Sequence, residues 1–474
     1  MVLMSAYVAG ALLLYGRAIG FPFCPFDDLV YVADNPVIRS LRPENLSAMF
    51  FLKFAGNYSP LHILAYAIEY QGCGLRPAGY HAVNIILHGI NSALVAMLCL
   101  RFGISRIGSV LSGILFPAHP VQVETAVWIS ELKSLLAAGF FLGAVIQYTR
   151  SQESGGFRAY VISILLFIAA AFSKPSAVAF PLLILAYHFV FRTDGVWLSL
   201  RKAAPFVLVS LFTALKAIST QAGGALQWHD RLGAVWSMTG IIAVEYVQHL
   251  LFPFNLSPYY YIVPEEVQIH LKIGAILLLL AALATTVRWI LRRRMEGFWA
   301  SWFFIMFLPN ANIFPLDVLI ADRYLYLPCI GLIVLFSSTI VKLWDRQPNI
   351  FRRRLILVGV AALMLAISVT TNAQTSIWKD TITFYTAIVR QNPTPRVLTP
   401  LAASYRNIGE VVMAKQTAQK ATIAIRKELM RQPDNWELYQ QLGIVYDTLG
   451  EEEKAKEALL KAVELFPGAP DAVI

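Results

Sequence analysis

Long apolar runs separated by short polar segments dominate the chain. A helix needs about 20 apolar residues to cross a bilayer. Apolar runs, some of them shorter than this, fall at about 2–20, 78–100, 106–118, 131–149, 203–220, 271–290, 297–309, 325–343 and 355–371, with two more between Arg158 and Arg192. Arginines and lysines collect at alternate breaks: Arg101 and Arg106, Arg150 and Arg158, Arg192 to Lys202, Arg292 to Arg294, and Lys342 to Arg354. Keeping these clusters on the cytoplasmic side threads the chain through about eleven crossings. The run at 234–252 is the exception. If it crossed, the triple arginine at 292–294 would lie outside, so its internal Glu245, Gln248 and His249 mark it as a re-entrant or interfacial helix. The first run has neither a basic start nor a small-residue cleavage site and reads as a retained span. This threading puts Asp27, Asp28, a loop containing Trp228, His229 and Asp230, and everything after Asn372 on the extracytoplasmic face.

Composition narrows the class without changing the threading. With 57% hydrophobic and 14% charged residues, the chain has too much apolar surface to hide in water, which makes it an integral, multi-pass membrane protein. The net charge of +10 lies in the loop clusters, so it gives no reason to expect a nucleic-acid partner. Four cysteines are too few for a disulfide scaffold. Cys24 and Cys73 flank the long polar-aromatic loop at 21–77 and can pair on an oxidising face, while Cys99 and Cys329 lie in or beside apolar runs as packed thiols.

From Trp378 the pattern changes to polar helices. Leu442, Gly443, Tyr446, Leu449, Gly450, Ala455, Leu459, Ala462 and Pro467 fit a 34-residue tetratricopeptide repeat, in which small and large residues interlock two antiparallel helices. An upstream copy runs through Leu401, Ala402, Tyr405, Ile408, Gly409, Ala414, Ala418 and Ala421 before a lengthened second helix. A partial copy spans Trp378 to Pro393. So short an array either grips an extended peptide or caps the membrane part.

Ionisable groups at the outer ends of spans are costly and mark candidate chemistry. Asp27 and Asp28 follow the first span, where a carboxylate either acts as a base or merely caps a helix. His81, Asn84, His88 and Asn91 share one stripe of the second span, where interhelical hydrogen bonding accounts best for the deeper His88 and Asn91. His119 and Glu124 top the third span, and Glu131 and Lys133 the fourth. Lys174 lies in a Ser-Lys-Pro break and Arg323 in Ala321-Asp322-Arg323-Tyr324. Both cations suit a lipid-linked phosphate, with Asp322 beside the guanidinium to hold it, and the alternative for each is a snorkelling anchor. Asp28, His119 and Glu124 are candidate ligands for a divalent cation, although no metal-binding spacing is present.

Taken in order, Phe26-Asp27-Asp28-x-x-Tyr31-Val32, Gly79-Tyr80-His81-Ala82-Val83-Asn84 with His88, His119-Pro120-Val121-x-Val123-Glu124, Ser173-Lys174, and Ala321 to Pro328, followed by the repeats, resemble the transmembrane and tetratricopeptide-repeat O-mannosyltransferases and their bacterial relatives, over nearly the whole chain. The resemblance implies an all-α, polytopic GT-C-type helical bundle at 1–371 and a short tetratricopeptide-repeat α-solenoid at 372–474. It implies a glycosyltransferase using a polyprenyl-phosphate or diphosphate sugar donor and acting on the lumenal or periplasmic side. Carried over by position, Asp27 is the general base, with Asp28 its neighbour. Arg323 and Lys174 neutralise the departing phosphate, and His119, Glu124, His81, Asn84, Glu131, Lys133, Asp322 and Tyr324 orient donor or acceptor. Two departures bear on donor and metal: Gln122 stands where many relatives have a second histidine, and Leu132 and Ser134 stand where they have arginine and aspartate. The acceptor is expected to be a protein Ser or Thr reached through the repeats, or else an envelope glycan or lipid. A lipid transporter and a non-enzymatic scaffold are the competing classes. Against transport, the ionisable groups gather at the outer ends and the two halves are not duplicated.

Overall fold

A computed structural model describes residues 2–54, 56–192, 195–225, 232–313, 316 and 318–466. The expected outer groups Trp228, His229 and Asp230, and the repeat residue Pro467, lie outside the described residues. Among those residues helix is the only regular secondary structure, apart from one isolated antiparallel bridge between Phe54 and Asn57. The chain divides into two compact units: Met1–Leu256 with Ile262–Thr375, and Ser257–Tyr261 with Ser376–Ile474.

Each apolar run of the first unit is a helix. Among the described residues six are long and apolar enough to cross a membrane: Leu3–Gly20, Pro77–Arg101, Ile129–Glu153, Val196–Thr220, Ile269–Leu291 and Ile350–Ile377. Pro77–Arg101 shows how the sequence sets the bounds. Proline occupies the first turn, where no N–H is needed, and Arg101 sits in the last turn against the exposed carbonyls. The other five expected crossings are helices of 12 to 17 residues: Arg106–Ala118, Phe157–Ser173, Phe180–Phe191, Met295–Phe307 and Cys329–Asp345. The run at 234–252 breaks at Met238 into Leu232–Ser237 and Thr239–Leu251.

Aromatic packing holds this bundle together. Phe167 stacks on Phe180 with centroids 4.8 Å apart, and Phe102 stacks on Phe298 at the same separation. Elsewhere small residues let backbones meet. A Cβ at Gly89 would lie 2.6 Å from Val8 Cα, one at Gly240 would lie 2.7 Å from the Ile276 nitrogen, and one at Gly331 would collide with the Trp299 carbonyl.

The polar-aromatic segment at 21–77 is more ordered than a loop. It contains Pro43–Phe51 and Pro60–Cys73, and Tyr31, Val32, Ile38, Met49, Ile63 and Tyr66 pack with Tyr80, Ile129 and Leu132 as a separate core. Helix Pro60–Cys73 buries Ile63, Tyr66 and Ala67, a spacing of three and four whose amphipathic stripe is narrow enough to be masked by its polar flanks. The pairing of Cys24 with Cys73 does not form. Both are free thiols, and Cys73 Sγ donates instead to the Glu69 carbonyl at 3.0 Å.

In the second unit, helices Thr381–Gln391, Pro395–Asn407, Val411–Leu429, Trp436–Leu449 and Glu452–Leu465 pack in succession. Leu398, Ala402, Ala418, Ala421, Leu442 and Ala455 lie in their shared core. Gly409 and Gly450 take φ of 81° and 80° at the hairpin turns, a conformation costly for any residue with a Cβ. The segment Ser257–Tyr261 belongs to this unit: Asn392 Nδ2 donates to the Tyr259 carbonyl at 3.0 Å, and the Tyr261 hydroxyl donates to Glu428 at 3.3 Å.

The close helix contacts generate a stability prediction. Gly331→Ala is expected to cost about 1–3 kcal/mol through overpacking against the Trp299 carbonyl. Gly274→Ala, with nothing within 4 Å of the new methyl, is expected to leave stability unchanged or raise it. Thermal unfolding of the detergent-solubilised protein, followed by intrinsic fluorescence, separates the two.

Candidate functional site

Several charged residues of the first unit converge from separate places in the chain. The first is the turn that opens the 21–77 segment. Asp28 is fully buried, and its carboxylate accepts from the Cys24 N–H at 2.8 Å, the Ser130 N–H at 2.9 Å and the Ser130 hydroxyl. Burial lifts its pKa to about 6, against the downward pull of these donors. With three donors aimed at it, Asp28 staples the first loop to the turn at 128–131. Asp27 is only partly buried. Its charge acts on Asp28 and on Tyr31, whose hydroxyl pKa burial also raises.

The second and third contributions are an acid and the base that it anchors. Glu124 opens the short helix Val123–Val127, and Arg323 lies on the 3-10 turn Asp322–Leu325. Glu124 Oε1 accepts from Arg323 Nη1 at 2.5 Å, and Oε2 accepts from the Arg323 backbone N–H at 2.9 Å. One carboxylate thereby fixes both the side chain and the backbone of the arginine. Burial lifts Glu124 to about 7 even against the arginine's pull, while Glu124 raises the arginine further above its usual range despite burial.

Glu131 lies at the centre, with no exposure. Oε2 accepts from the Ser134 hydroxyl and from Lys174 Nζ at 3.3 Å, while Oε1 faces Arg323 Nε at 3.6 Å and Lys133 Nζ at 3.7 Å. Lys174, the fourth contribution, comes from the extended residue between Phe157–Ser173 and Pro175–Ala179, and donates to Ser134 Oγ at 2.6 Å. Burial lowers the pKa of its ammonium. Aromatic faces complete the surround: Tyr324 lies 5.0 Å and Trp128 5.4 Å from the Arg323 guanidinium, and Tyr31 lies 5.1 Å from Lys133 Nζ. Three cations thus share one dry carboxylate beside the Asp27–Asp28 turn.

The remaining expected residues divide by position. Tyr324 joins the cluster through its ring. Asn84 donates to the Trp128 and Ile129 carbonyls at 3.0 and 3.4 Å, and so supports the turn that carries Ser130. His88 and Asn91 bond the Tyr326 hydroxyl at 2.8 and 3.1 Å and serve helix packing. His81 packs edge-on against Phe21. His119 is not in the cluster. Its Nε2 donates to the Leu250 carbonyl at 2.9 Å, and burial lowers its pKa to about 4. Asp322 does not hold the guanidinium, as its place beside Arg323 suggested. It accepts from His249 Nδ1 at 3.1 Å, while Glu124 and Glu131 hold the arginine.

Asp28, His119 and Glu124 are committed to three separate sets of partners and do not fit a shared metal ion. Among the described residues no group of three or more His, Cys, Asp or Glu side chains is arranged to hold one. Gln122, at the position of a histidine in many relatives, donates to Cys329 Sγ at 2.9 Å. Sequence reasoning missed Trp128, Ser130, Ser134 and His249. The run Ser130-Glu131-Leu132-Lys133-Ser134 carried a signal, because residues three apart on a helix meet and both serines are short donors beside acids. His249 had only its polarity in an apolar run.

No family model matches the chain. The human protein O-mannosyl-transferase TMTC3 is 22% identical over 502 aligned residues, which cover 94% of this chain and 53% of that protein. The Drosophila melanogaster protein O-mannosyl-transferase Tmtc1 is 22% identical over 80% of this chain and 54% of its own length. The crystal structure of ArnT from Cupriavidus metallidurans bound to undecaprenyl phosphate aligns with a TM-score of 0.46 and 14% identity, covering 97% of this chain and 77% of that one. The chain spans about half the length of the curated relatives it matches. Over most of its own length it is similar to proteins named as O-mannosyl-transferases.

Proposed function

We propose that the chain is an integral-membrane glycosyltransferase of GT-C type. It moves a sugar from a polyprenyl-phosphate carrier to a hydroxyl acceptor on the extracytoplasmic side, the acceptor being a Ser or Thr of a protein. The observation that carries this reading is the gathering of Lys133, Lys174 and Arg323 around buried Glu131, beside a half-buried Asp27. Cations on aromatic walls at the outer end of a bundle suit a phosphate whose prenyl tail stays in lipid.

In the proposed reaction the acceptor oxygen attacks the anomeric carbon as the bond from that carbon to the phosphate oxygen breaks. Asp27 takes the hydroxyl proton, and the bonding pair leaves with the phosphate, which gains a negative charge. Arg323 and Lys174, already fixed, stabilise that charge without reorganising. Nη1 and Nε of Arg323 face the glutamates, and the guanidinium has five N–H donors in all, which leaves others for phosphate oxygens. Asp28 has its acceptor positions engaged by Cys24 and Ser130, which supports Asp27 as the base. Glu131 and Ser134 orient the lysines, Glu124 and Tyr324 orient Arg323, and no step is routed through a metal. The tail's helical hairpins are the proposed contact for a protein acceptor.

Asp27→Asn is expected to lower transfer by about 10²-fold or more with unfolding unchanged, whereas Asp28→Ala is expected to lower the unfolding temperature. Glycopeptide and intact-mass spectrometry of extracytoplasmic proteins from wild-type and Asp27→Asn cells reads the first effect. A sugar mass that persists on the same peptides in the variant overturns the assignment of the base, and loss confined to envelope polysaccharide moves the acceptor from protein to glycan.

Acidity supplies a second test. Arg323, Asp322 and Glu131 face Glu124, whose pKa lies near 7. Protonating Glu124 loosens the anchor that orients the guanidinium, so donor affinity should fall as pH falls from about 8 to 6, and that slope should flatten in Glu124→Gln. Donor KM measured across that range shows the slope or its absence.

The threading makes a third claim. A reporter enzyme active only outside the cytoplasm is expected to work when fused after Asn372 and to fail when fused after Arg294.

A further inference from the structure

Helix Thr239–Leu251 grips the turn that carries Arg323, although none of its residues enters the charged cluster. The Ala321 N–H donates to the Tyr246 hydroxyl at 3.2 Å, and His249 Nδ1 donates to Asp322 Oδ1 at 3.1 Å. One residue further on, His119 Nε2 donates to the Leu250 carbonyl at 2.9 Å, tying the same helix to the segment that leads to Glu124. His249 is the centre of this grip. Its side chain is 10% exposed, and Nε2 faces Glu245 Oε2 at 3.7 Å, so the imidazole lies between two carboxylates from different elements. Burial disfavours its charged form, but Asp322 and Glu245 together overcome this and raise the ring's pKa above the usual value.

The Arg323 guanidinium points at Glu124 and Glu131, so its position depends on where the turn Asp322–Leu325 is held. Glu124 fixes that turn from one side, through the Arg323 N–H, and His249 fixes it from the other, through Asp322. We propose that His249 is a positioning residue for the donor-phosphate site, an imidazole clamp between Glu245 and Asp322 that sets the reach of Arg323. The inference rests on the reading that Arg323 receives the donor phosphate. It gives the run at 234–252 a task beyond that of an interfacial helix: the run is the outer wall of the phosphate-binding turn. His249 itself touches neither donor nor acceptor.

The test uses the full-length protein in detergent and citronellyl phosphate, a short prenyl phosphate, titrated by calorimetry. His249→Leu is expected to weaken binding about tenfold, the worth of one such hydrogen bond. His249→Asn places its amide where Nδ1 stood and is expected to return affinity to within about threefold of wild type. His249→Gln reaches only the Nε2 position, facing Glu245, and should not rescue. In sugar transfer, His249→Leu should raise donor KM more than it lowers kcat. Arg323→Gln, measured in parallel, keeps the two claims apart. If Arg323→Gln binds like wild type, the donor-phosphate reading falls and takes this inference with it. If Arg323→Gln loses binding while His249→Leu keeps it, the clamp alone is overturned. Should His249→Leu fail to fold, the comparison of Asn with Gln decides: equal affinity for the two refutes a role through Asp322.

Discussion

A carboxylate with no access to water must be paired, and Glu131 sets the terms for everything around it. An isolated buried charge is costly enough that a protein neutralises it or surrounds it with partners. Here the partners are Lys133, Lys174 and Arg323, drawn from a helix start, a break between two helices and a short turn. Satisfying one acid thereby brings three distant segments together and holds three cations in place before any ligand arrives. The two contacts at 3.6 and 3.7 Å are longer than hydrogen bonds, so the cations are gathered by charge but not exhausted by it. That combination of fixed position and spare donors is what a phosphate site requires.

The pair at 27 and 28 shows how neighbouring identical side chains acquire different work. Three donors and full burial make Asp28 a structural staple between the first loop and the turn at 128–131. Asp27 projects from the same turn without being consumed by it. Proton-accepting chemistry needs a carboxylate with free lone pairs held at a fixed point. In the proposed reaction Asp28 provides the fixed point and Asp27 the lone pairs, and only Asp27 meets substrate.

Packing supports the site from below. Stacked aromatics and glycine contacts as close as Gly89 against the Val8 backbone leave the bundle little room to shift, so the turns that carry the charged cluster inherit a rigid base. Small-residue spacing also builds the second unit, where a Cβ at Gly443 would lie 2.6 Å from Leu459 Cγ. Its two hairpins differ in length because helix Val411–Leu429 has 19 residues and Glu452–Leu465 has 14.

Hydropathy and charge are properties of each residue, so the sequence alone determined what depends on them. The apolar runs had to be helices in lipid, the arginine clusters marked alternate breaks, and Asp27, Asp28, Glu124, Glu131, Lys133, Lys174 and Arg323 stood out as charges at span ends. Helix Pro60–Cys73 escaped because its apolar stripe is too narrow to outweigh its flanks. Partnership was not legible. Glu124 meets Arg323 across 199 residues and Asp28 meets Ser130 across 102, and no local pattern encodes a contact of that separation. Chain neighbours even misled, since Asp322 adjoins Arg323 in sequence yet bonds His249. Only the tertiary structure decided which aspartate is engaged and which cations share an acid, because the strength of a buried ion pair depends on distance and dehydration, and both are set by the packing of helices remote in the chain.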